Sequence, residues 1–190
     1  MADWNERYRR GEHATIEPSQ LLVQAVDGLA PGQALDLACG AGRQAIFLAE
    51  RGWKVTALDA SPVGIELVNG SAHERGVEVD ARVADLEQGQ FVITPNAYDL
   101  ICVFYYLQRN LFPQIRAGLR PGGTVVAAIH TVDQDADEKG KNPAFFLMQG
   151  ELCAEFQGWE ITHYTEGQPQ DAAHRRRTAE LIARRRNNEK

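Results

Sequence analysis

The sequence is poor in the features that mark metal-binding, disulfide-rich and membrane-spanning proteins. It contains 3 cysteines, Cys39, Cys102 and Cys153, and their spacing from each other and from histidines fits no zinc ligand set. Widely separated thiols predict reduced cysteines and therefore an intracellular compartment. No apolar run approaches the roughly 20 residues that a membrane-spanning helix needs. We therefore predict neither a bound metal ion nor a membrane span.

The chain also lacks an excess of positive charge. It has 20 Lys and Arg against 26 Asp and Glu, which gives a formal net charge of −6. Arginine runs at 175–177 and 184–186 flank the last predicted strand, where they indicate a charged sheet end rather than a nucleic-acid surface. The N-terminus has no apolar signal core, so we expect a cytoplasmic protein. We expect a monomer or homodimer that binds neither nucleic acid nor membrane.

Residues 33–59 predict a β-α-β unit, and this unit organises the rest of the chain. An apolar run predicts a buried strand, and Gly40 and Gly42 then predict a tight turn. Apolar positions at helical spacing follow in 43–51, and a second short strand closes at Asp59. Such a unit binds a nucleoside, with Asp59 accepting hydrogen bonds from the ribose hydroxyls.

Two ligand classes use this unit, and Asp36 distinguishes them. The run Gly40 to Ala45 matches the G-x-G-x-x-G/A pattern of dinucleotide-binding folds, which alone is a weak signal. A negative charge at Asp36 would repel a pyrophosphate and attract an ammonium group. S-adenosylmethionine carries that ammonium and has no phosphate. The alternative, an NAD(P)-dependent oxidoreductase, leaves Asp36 unexplained, and the chain has no Tyr-x-x-x-Lys pair of the short-chain type.

The run Asp36-x-Ala38-x-Gly40-x-Gly42 resembles motif I of the class I S-adenosylmethionine-dependent methyltransferases, which usually have glycine in place of Ala38. The turn Leu119 to Gly123 before an apolar strand resembles the same superfamily. Trp4-Asn5-x-x-Tyr8 and the run 42–52 resemble its tellurite-resistance-type, TehB-like branch. The resemblance implies an α/β fold with a Rossmann-like, doubly wound, seven-stranded sheet. That sheet would be mostly parallel, with an antiparallel last strand and helices on both faces.

The resemblance also implies a set of cofactor-binding residues. The positions expected to bind S-adenosylmethionine are Asp36, Ala38, Gly40, Gly42, Arg43, Asp59, Ala60, Asp85, Leu86 and Val103, with Trp4 and Tyr8 above them. In the resembling family an Asp after the third strand accepts a hydrogen bond from the adenine amino group, and Asp85 matches that position. Trp4 and Tyr8 share one helical face, where they either close over the cofactor or pack on the domain.

The methyl acceptor is expected beside the first strand, in the crevice where the strand order of a doubly wound sheet reverses. Tyr105 and Tyr106 follow the buried run 97–104 and are the aromatic candidates for contact with the sulfonium or the acceptor. Their side chains must point in opposite directions, so one of them is expected to pack in the core. His130 follows the fifth strand and is the candidate base for an oxygen or nitrogen acceptor. A thiol or a chalcogen oxyanion would need no strong base. The acidic stretch 131–142 predicts a loop over the substrate side.

These patterns predict a single methyltransferase domain over 1–190. It comprises an N-terminal helical lid or cap (1–30), a cofactor-binding core (33–130) and a substrate-side loop with a C-terminal hairpin (131–190). The predicted reaction moves a methyl group to a small-molecule acceptor and leaves S-adenosylhomocysteine. A non-catalytic S-adenosylmethionine-binding module is a further alternative, because a glycine loop indicates ligand binding but not turnover.

Overall fold

The computed structural model describes residues 4–12, 15–132, 143–169, 171 and 176–187, and a seven-stranded sheet forms its centre. The strands are β1 (Gln33–Leu37), β2 (Lys54–Asp59), β3 (Val79–Val83), β4 (Tyr98–Phe104), β5 (Leu119–His130), β6 (Glu160–Gly167) and β7 (Thr178–Arg184). The helices are α1 (Trp4–Arg9), α2 (Gln20–Val26), α3 (Arg43–Glu50), α4 (Pro62–Arg75), α5 (Leu111–Gly118) and α6 (Glu151–Glu155), with a 3-10 turn at Pro143–Phe145.

The strand order confirms the predicted fold class. It is β3-β2-β1-β4-β5-β7-β6, with β1 to β5 parallel and β7 antiparallel to both β5 and β6. The predicted C-terminal hairpin is formed by β6 and β7. Because the order reverses on either side of β1, the carboxyl ends of β1 and β4 flank a crevice at one edge of the sheet.

Helices cover both faces of the sheet because its central strands are apolar on both sides. In β4, Leu100, Cys102 and Phe104 join the core beneath α2, α3 and α4. The intervening Ile101 and Val103 join the core beneath α5 and α6. This alternation is a direct consequence of the two-residue period of a strand.

Helix α2 belongs to the main core, although it falls within the predicted N-terminal cap. Its Leu21 and Leu22 are fully buried in the core cluster of that face, and the helix packs on β5 and β7. Of the two N-terminal helices, α1 is the one that lies against α4 and the glycine turn.

The predicted start of the fifth strand differs from the structure. Strand β5 begins at Leu119 rather than Thr124, because the backbone of Arg185 pairs with Gly122 and Gly123. After the 3-10 turn at Pro143–Phe145, Leu147 bridges to Thr131, the residue that follows β5. Most of the predicted acidic loop, 133–142, lies outside the described residues. Within the described part of the chain, no helix is long and apolar enough to cross a membrane.

Candidate functional site

The turn between β1 and α3 is built from left-handed backbone. Ala38 has φ 54°, Gly40 has φ 58° and Gly42 has φ 85°. The Cys39 amide donates to the Leu58 carbonyl at 2.9 Å, which holds the turn against the end of β2. A Cβ on Gly42 would lie 2.6 Å from Val68, so this position requires glycine for space as well as for conformation.

Asp59 ties this glycine turn to the end of β2. Its carboxylate accepts hydrogen bonds from the Gly40 amide at 2.8 Å and from the Ser61 amide at 2.8 Å. Burial raises the pKa of Asp59, and these two amide donors act against that rise. A carboxylate has about four acceptor positions, so two remain for ligand hydroxyl groups.

Asp36 lies near the end of β1 and is almost fully buried, with 1% of its surface exposed. Its Oδ1 accepts a hydrogen bond from the Cys102 thiol at 3.4 Å. Its Oδ2 is also buried and has no hydrogen-bond partner among the described residues. Burial raises the pKa of Asp36 to about 7, and the charge of Asp59 adds to the rise, whereas the Cys102 hydrogen bond, the Ala45 backbone amide and the charge of Arg43 act against it. A buried carboxylate oxygen without a partner suits a ligand that brings its own positive charge.

Helix α1 lies directly over the glycine turn. The Tyr8 side chain is 8% exposed, and its hydroxyl would be 2.7 Å from a Cβ on Gly40. Ser61 donates from its hydroxyl to Asn5 Oδ1 at 2.6 Å, which fixes the helix to the start of α4. The Trp4 ring stacks on Tyr8 with centroids 5.8 Å apart but stays 44% exposed. The two aromatic residues therefore share a helix face, and Tyr8 is the one that reaches the turn.

The residues after β3 form a hydrogen-bonded loop next to Tyr106. Asp85 Oδ1 accepts hydrogen bonds from the amides of Glu87 and Gln88, at 2.9 and 3.2 Å, and so closes a turn. Gln108 donates from Nε2 to the Leu86 carbonyl at 3.1 Å and accepts from the Tyr106 hydroxyl at 2.6 Å. An open cavity of about 370 Å³ adjoins this loop, with Gln108 in its lining.

Tyr105 lies on the other side of the sheet from Tyr106, as the sequence predicts. Tyr105 packs against the core of α2, α3 and α4, whereas Tyr106 packs against the core of α5 and α6. Tyr105 has φ 59°, a conformation that L-residues rarely adopt, and its amide donates to the Ala128 carbonyl at 2.7 Å. Its ring lies 5.2 Å from the His130 ring. Residues with such backbone strain cluster at functional sites.

The Arg43 guanidinium lies beside Tyr105 and Asp171. Its Nη2 forms an ion pair with Asp171 at 2.6 Å, and the two side chains are only 13% and 10% exposed. The Tyr105 hydroxyl donates to the same Asp171 oxygen at 3.2 Å. Arg43 also donates from Nη1 to the Glu17 carbonyl at 3.3 Å. Sequence reasoning missed Asp171, because no local pattern distinguishes it from an exposed loop residue.

His130 is half-buried at the end of β5. Burial lowers its pKa, and the charge of Arg176 lowers it further. The imidazole is therefore uncharged at neutral pH and able to accept a proton. Glu180 is 2% exposed on β7, with His163 Nε2 at 3.9 Å. The sequence carried a signal for Glu180 that was overlooked: a single acidic residue inside an apolar strand indicates a buried polar contact.

Of the remaining predicted positions, one is exposed and two are buried in the core. Ala60 is exposed at the bend after β2. Leu86 and Val103 are buried in the core of α5 and α6, on the opposite face from Asp36. Across the described ranges, no group of three or more His, Cys, Asp or Glu side chains is arranged to hold a metal ion.

Comparison with known sequences gives a family match over most of the chain. The profile of the family described as Tellurite resistance protein TehB matches residues 5–180. Hemagglutinin 1 of Eikenella corrodens is 30% identical over 168 residues, covering 84% of this chain and 54% of that protein. A probable S-adenosyl-L-methionine-dependent methyltransferase TehB of Haemophilus influenzae is 28% identical over 154 residues, covering 76% and 52%. The chain thus spans about half the length of these curated relatives.

Comparison with solved structures gives the same fold. The crystal structure of TehB from Haemophilus influenzae aligns with a TM-score of 0.77 at 22% identity, covering 96% of this chain and 67% of that chain. A geranyl diphosphate methyltransferase solved with GPP and sinefungin aligns with a TM-score of 0.66 at 16% identity, covering 87% and 75%. At these identities the likeness establishes the Rossmann-like methyltransferase fold.

Proposed function

The chain belongs to the family of the tellurite resistance protein TehB, and from this premise we propose that it is an S-adenosylmethionine-dependent methyltransferase acting on a small molecule. The observation that carries the proposal is the buried, unpartnered Oδ2 of Asp36 beside the glycine turn. A dinucleotide would bring phosphates to this carboxylate, whereas S-adenosylmethionine brings an ammonium group. The probable TehB relative, which is described as S-adenosyl-L-methionine-dependent, supports the same reading.

We assign the cofactor contacts by position in the fold. Asp36 binds the ammonium group, Asp59 accepts from the ribose hydroxyls, and Asp85 faces the adenine amino group with its second oxygen. The turn of Ala38, Gly40 and Gly42, with Ala60, Leu86 and Val103 at its borders, surrounds the nucleoside. Helix α1 closes over the turn, with Tyr8 as its inner residue and Trp4 as its outer one. Arg43 supports the acceptor side through its pair with Asp171.

The chemistry asks for alignment more than for acid–base catalysis. When bound, S-adenosylmethionine supplies a methyl group on a sulfonium, which is already an activated leaving group. The chain must hold the acceptor in line with that methyl group and exclude water, and such orientation contributes about 7–11 kcal/mol in favourable cases. Tyr105 and the buried Arg43–Asp171 pair form one wall for the acceptor, and α1 covers the cofactor.

The acceptor that best suits this arrangement is a soft nucleophile, either a thiol or a chalcogen oxyanion. The family description, tellurite resistance, points in the same direction. An oxygen or nitrogen acceptor would need a base, and the neutral His130 beside Tyr105 would serve as one. We propose Tyr106, on the opposite side of the sheet, as the second aromatic residue for contact with the sulfonium or the acceptor.

We further propose a single domain that acts in the cytoplasm as a monomer or homodimer, without nucleic acid as a partner. Within it, α1 is the lid, 33–130 binds the cofactor, and the segment after β5, including the β6–β7 hairpin, borders the acceptor. The net charge of −6 supports the exclusion of nucleic acid.

Calorimetric titration tests the cofactor assignment. We expect S-adenosylhomocysteine to bind and NAD⁺ to produce no heat. Binding of NAD⁺ without S-adenosylhomocysteine would instead establish the oxidoreductase alternative.

A methyl-transfer screen separates an enzyme from a non-catalytic binding module. It would use labelled S-adenosylmethionine with thiols, selenite and tellurite, and Asp36→Ala as the inactive control. We expect product from at least one soft acceptor with the wild-type chain only. Cofactor binding without product from any acceptor would favour the module.

A further inference from the structure

A thiol lies directly beside the carboxylate that we assign to the cofactor ammonium. Asp36 and Cys102 are register partners on the adjacent strands β1 and β4, and both are buried on the same face of the sheet. The Cys102 Sγ donates to Asp36 Oδ1 at 3.4 Å. No other side chain among the described residues donates a hydrogen bond to this carboxylate.

The thiol stays protonated, so it remains a donor throughout the physiological pH range. Burial raises the pKa of Cys102, and the neighbouring Asp36 carboxylate raises it further. An S–H group is a weak donor and carries no charge. It therefore supports the carboxylate without neutralising it, whereas an arginine or lysine at this place would compete with a cationic ligand.

We propose that Cys102 is a positioning residue for cofactor recognition. By occupying Oδ1, it fixes the orientation of the Asp36 carboxylate so that Oδ2 is left for the ammonium of the methionine moiety. This inference rests on the proposed function and adds a residue to it. Core packing alone would not require a thiol, because β4 is otherwise filled by leucine, isoleucine, valine and phenylalanine at its buried positions.

A pair of ligands separates positioning from packing. S-adenosylhomocysteine carries the ammonium, whereas 5′-methylthioadenosine keeps the adenosine and the thioether but lacks the amino-acid group. For Cys102→Val, which fills the site without a donor, we expect affinity for S-adenosylhomocysteine to fall about 10-fold, the value of one net hydrogen bond to a charged group. Affinity for 5′-methylthioadenosine should not change.

Two further variants control for folding and for loss of a thiol. Cys102→Ser keeps a donor and should retain S-adenosylhomocysteine affinity within about threefold, since hydroxyl and thiol donate to the same oxygen. Cys153→Ala removes the half-buried thiol of α6 and should behave as wild type. The pH midpoint of S-adenosylhomocysteine binding should move upward in Cys102→Val, because the hydrogen bond that favours the charged carboxylate is gone.

Each other outcome overturns the inference. Equal losses for both ligands in Cys102→Val would mean that the residue only packs. Unchanged S-adenosylhomocysteine binding in Cys102→Val, together with lost binding in Asp36→Ala, would refute the role of Cys102 and leave the proposed function intact. If the wild-type chain bound 5′-methylthioadenosine as tightly as S-adenosylhomocysteine, the ammonium site itself would be wrong and both proposals would fail.

Discussion

The two sides of the site are built in different ways. On the cofactor side, Asp59 bonds to the backbone of Gly40 and Ser61, which are 19 and 2 residues away in sequence. On the acceptor side, Arg43 pairs with Asp171, 128 residues away. The first arrangement follows from one β-α-β unit, whereas the second exists only after the whole sheet has formed. Local pattern therefore specifies the nucleoside end of the site, and topology specifies the acceptor end.

The two sides also differ in how their charges are paired. Within the described ranges, neither Asp36 nor Asp59 forms an ion pair with a lysine or arginine, and only the more distant charge of Arg43 favours the charged form of Asp36. On the acceptor side, the Arg43–Asp171 pair balances its own charge within the protein. The difference indicates that the cofactor side awaits a cationic ligand, while the acceptor side maintains its structure without one.

Asp36→Asn should separate ligand binding from stability. Removing the charge should lower S-adenosylhomocysteine affinity about 30- to 100-fold, as expected for a lost charge-assisted hydrogen bond. The same variant should make the unliganded protein more stable at pH 8 by about 1–3 kcal/mol, because a buried charge without a partner is costly. Titration calorimetry and thermal unfolding measure the two effects.

The pH dependence of Asp36→Asn follows from the direction of the pKa shift. The folded-state pKa is raised to about 7 from 3.8, so the carboxyl contributes most to stability below pH 3.8 and loses that contribution as pH rises through 7. The stability gain should therefore be complete at pH 8, smaller at pH 5 and nearly absent only below pH 3.8. Asp80→Asn is the matched control, because its exposed pair with Arg82 lowers its pKa. A gain of equal size at pH 8 and pH 5 would contradict the assignment.

Gly40→Ala should disturb the cofactor side through α1. The new Cβ would lie 2.7 Å from the Tyr8 hydroxyl, on a residue whose φ of 58° already disfavours a side chain. We expect a loss of about 1–3 kcal/mol in unfolding free energy and weaker S-adenosylhomocysteine binding.

Tyr8→Phe provides the test of that mechanism. Without the hydroxyl, the nearest ring atom is 3.5 Å from the new Cβ, which is an ordinary contact. The double variant of Gly40→Ala and Tyr8→Phe should therefore recover the steric part of the loss and keep the part that comes from φ. No recovery at all would mean that α1 does not lie on the turn in solution.

Arg43→Ala and Asp171→Ala test the acceptor side. Each change leaves a nearly buried charge without its partner and should cost about 3 kcal/mol of stability. Contact of the pair with water makes the cost somewhat smaller. The double variant should cost less than the sum, which a double-mutant cycle measures. KM for the acceptor should rise, while S-adenosylhomocysteine affinity stays within about threefold of wild type, because the pair lies off the glycine turn. A parallel loss of cofactor affinity would return Arg43 to the cofactor side, where the sequence had placed it.

The sequence predicted the parts of this molecule that depend on short-range patterns. Residues 33–59 gave the β-α-β unit, and the run Asp36 to Gly42 gave the resemblance to TehB-like methyltransferases that the family match confirms. Asp171 could not be predicted, because its partner is set by how the β6–β7 hairpin docks on β5. The early start of β5 was missed for the same reason, since Arg185 pairs with it from the other end of the chain.

Tyr105 and Tyr106 are adjacent in sequence but lie on opposite faces of the sheet, so a variant of each tests the acceptor side and the cofactor side separately. Tyr105→Phe removes the hydrogen bond to the Asp171 carboxylate and should raise acceptor KM about tenfold, in keeping with about 1.5 kcal/mol for a hydrogen bond to a charged group. Tyr106→Phe removes the neutral hydrogen bond to Gln108 and should instead weaken S-adenosylhomocysteine binding about threefold. Steady-state kinetics of each variant, with the other substrate saturating, separate an effect on the acceptor from an effect on the cofactor. The same effect from both changes would remove the distinction between the two faces.

Ala38→Gly should produce the smallest change and refine the description of the turn. Ala38 has φ 54°, where an L-residue is strained by about 1–2 kcal/mol, and glycine relieves that strain. Glycine also increases the entropy of the unfolded chain, which costs about 0.4–1 kcal/mol. The balance predicts a gain near 0.5 kcal/mol, or a rise in Tm of about 1–2 °C for a chain of this size.

Gly76→Ala is the reverse control. Gly76 has φ 65° and a Cβ there would meet nothing within 4 Å, so this variant reports the conformational cost alone. Ala38→Gly could instead lower stability while Gly76→Ala lowers it as expected. That result would mean that the packing of the Ala38 methyl group outweighs its backbone strain, so that alanine stabilises the turn.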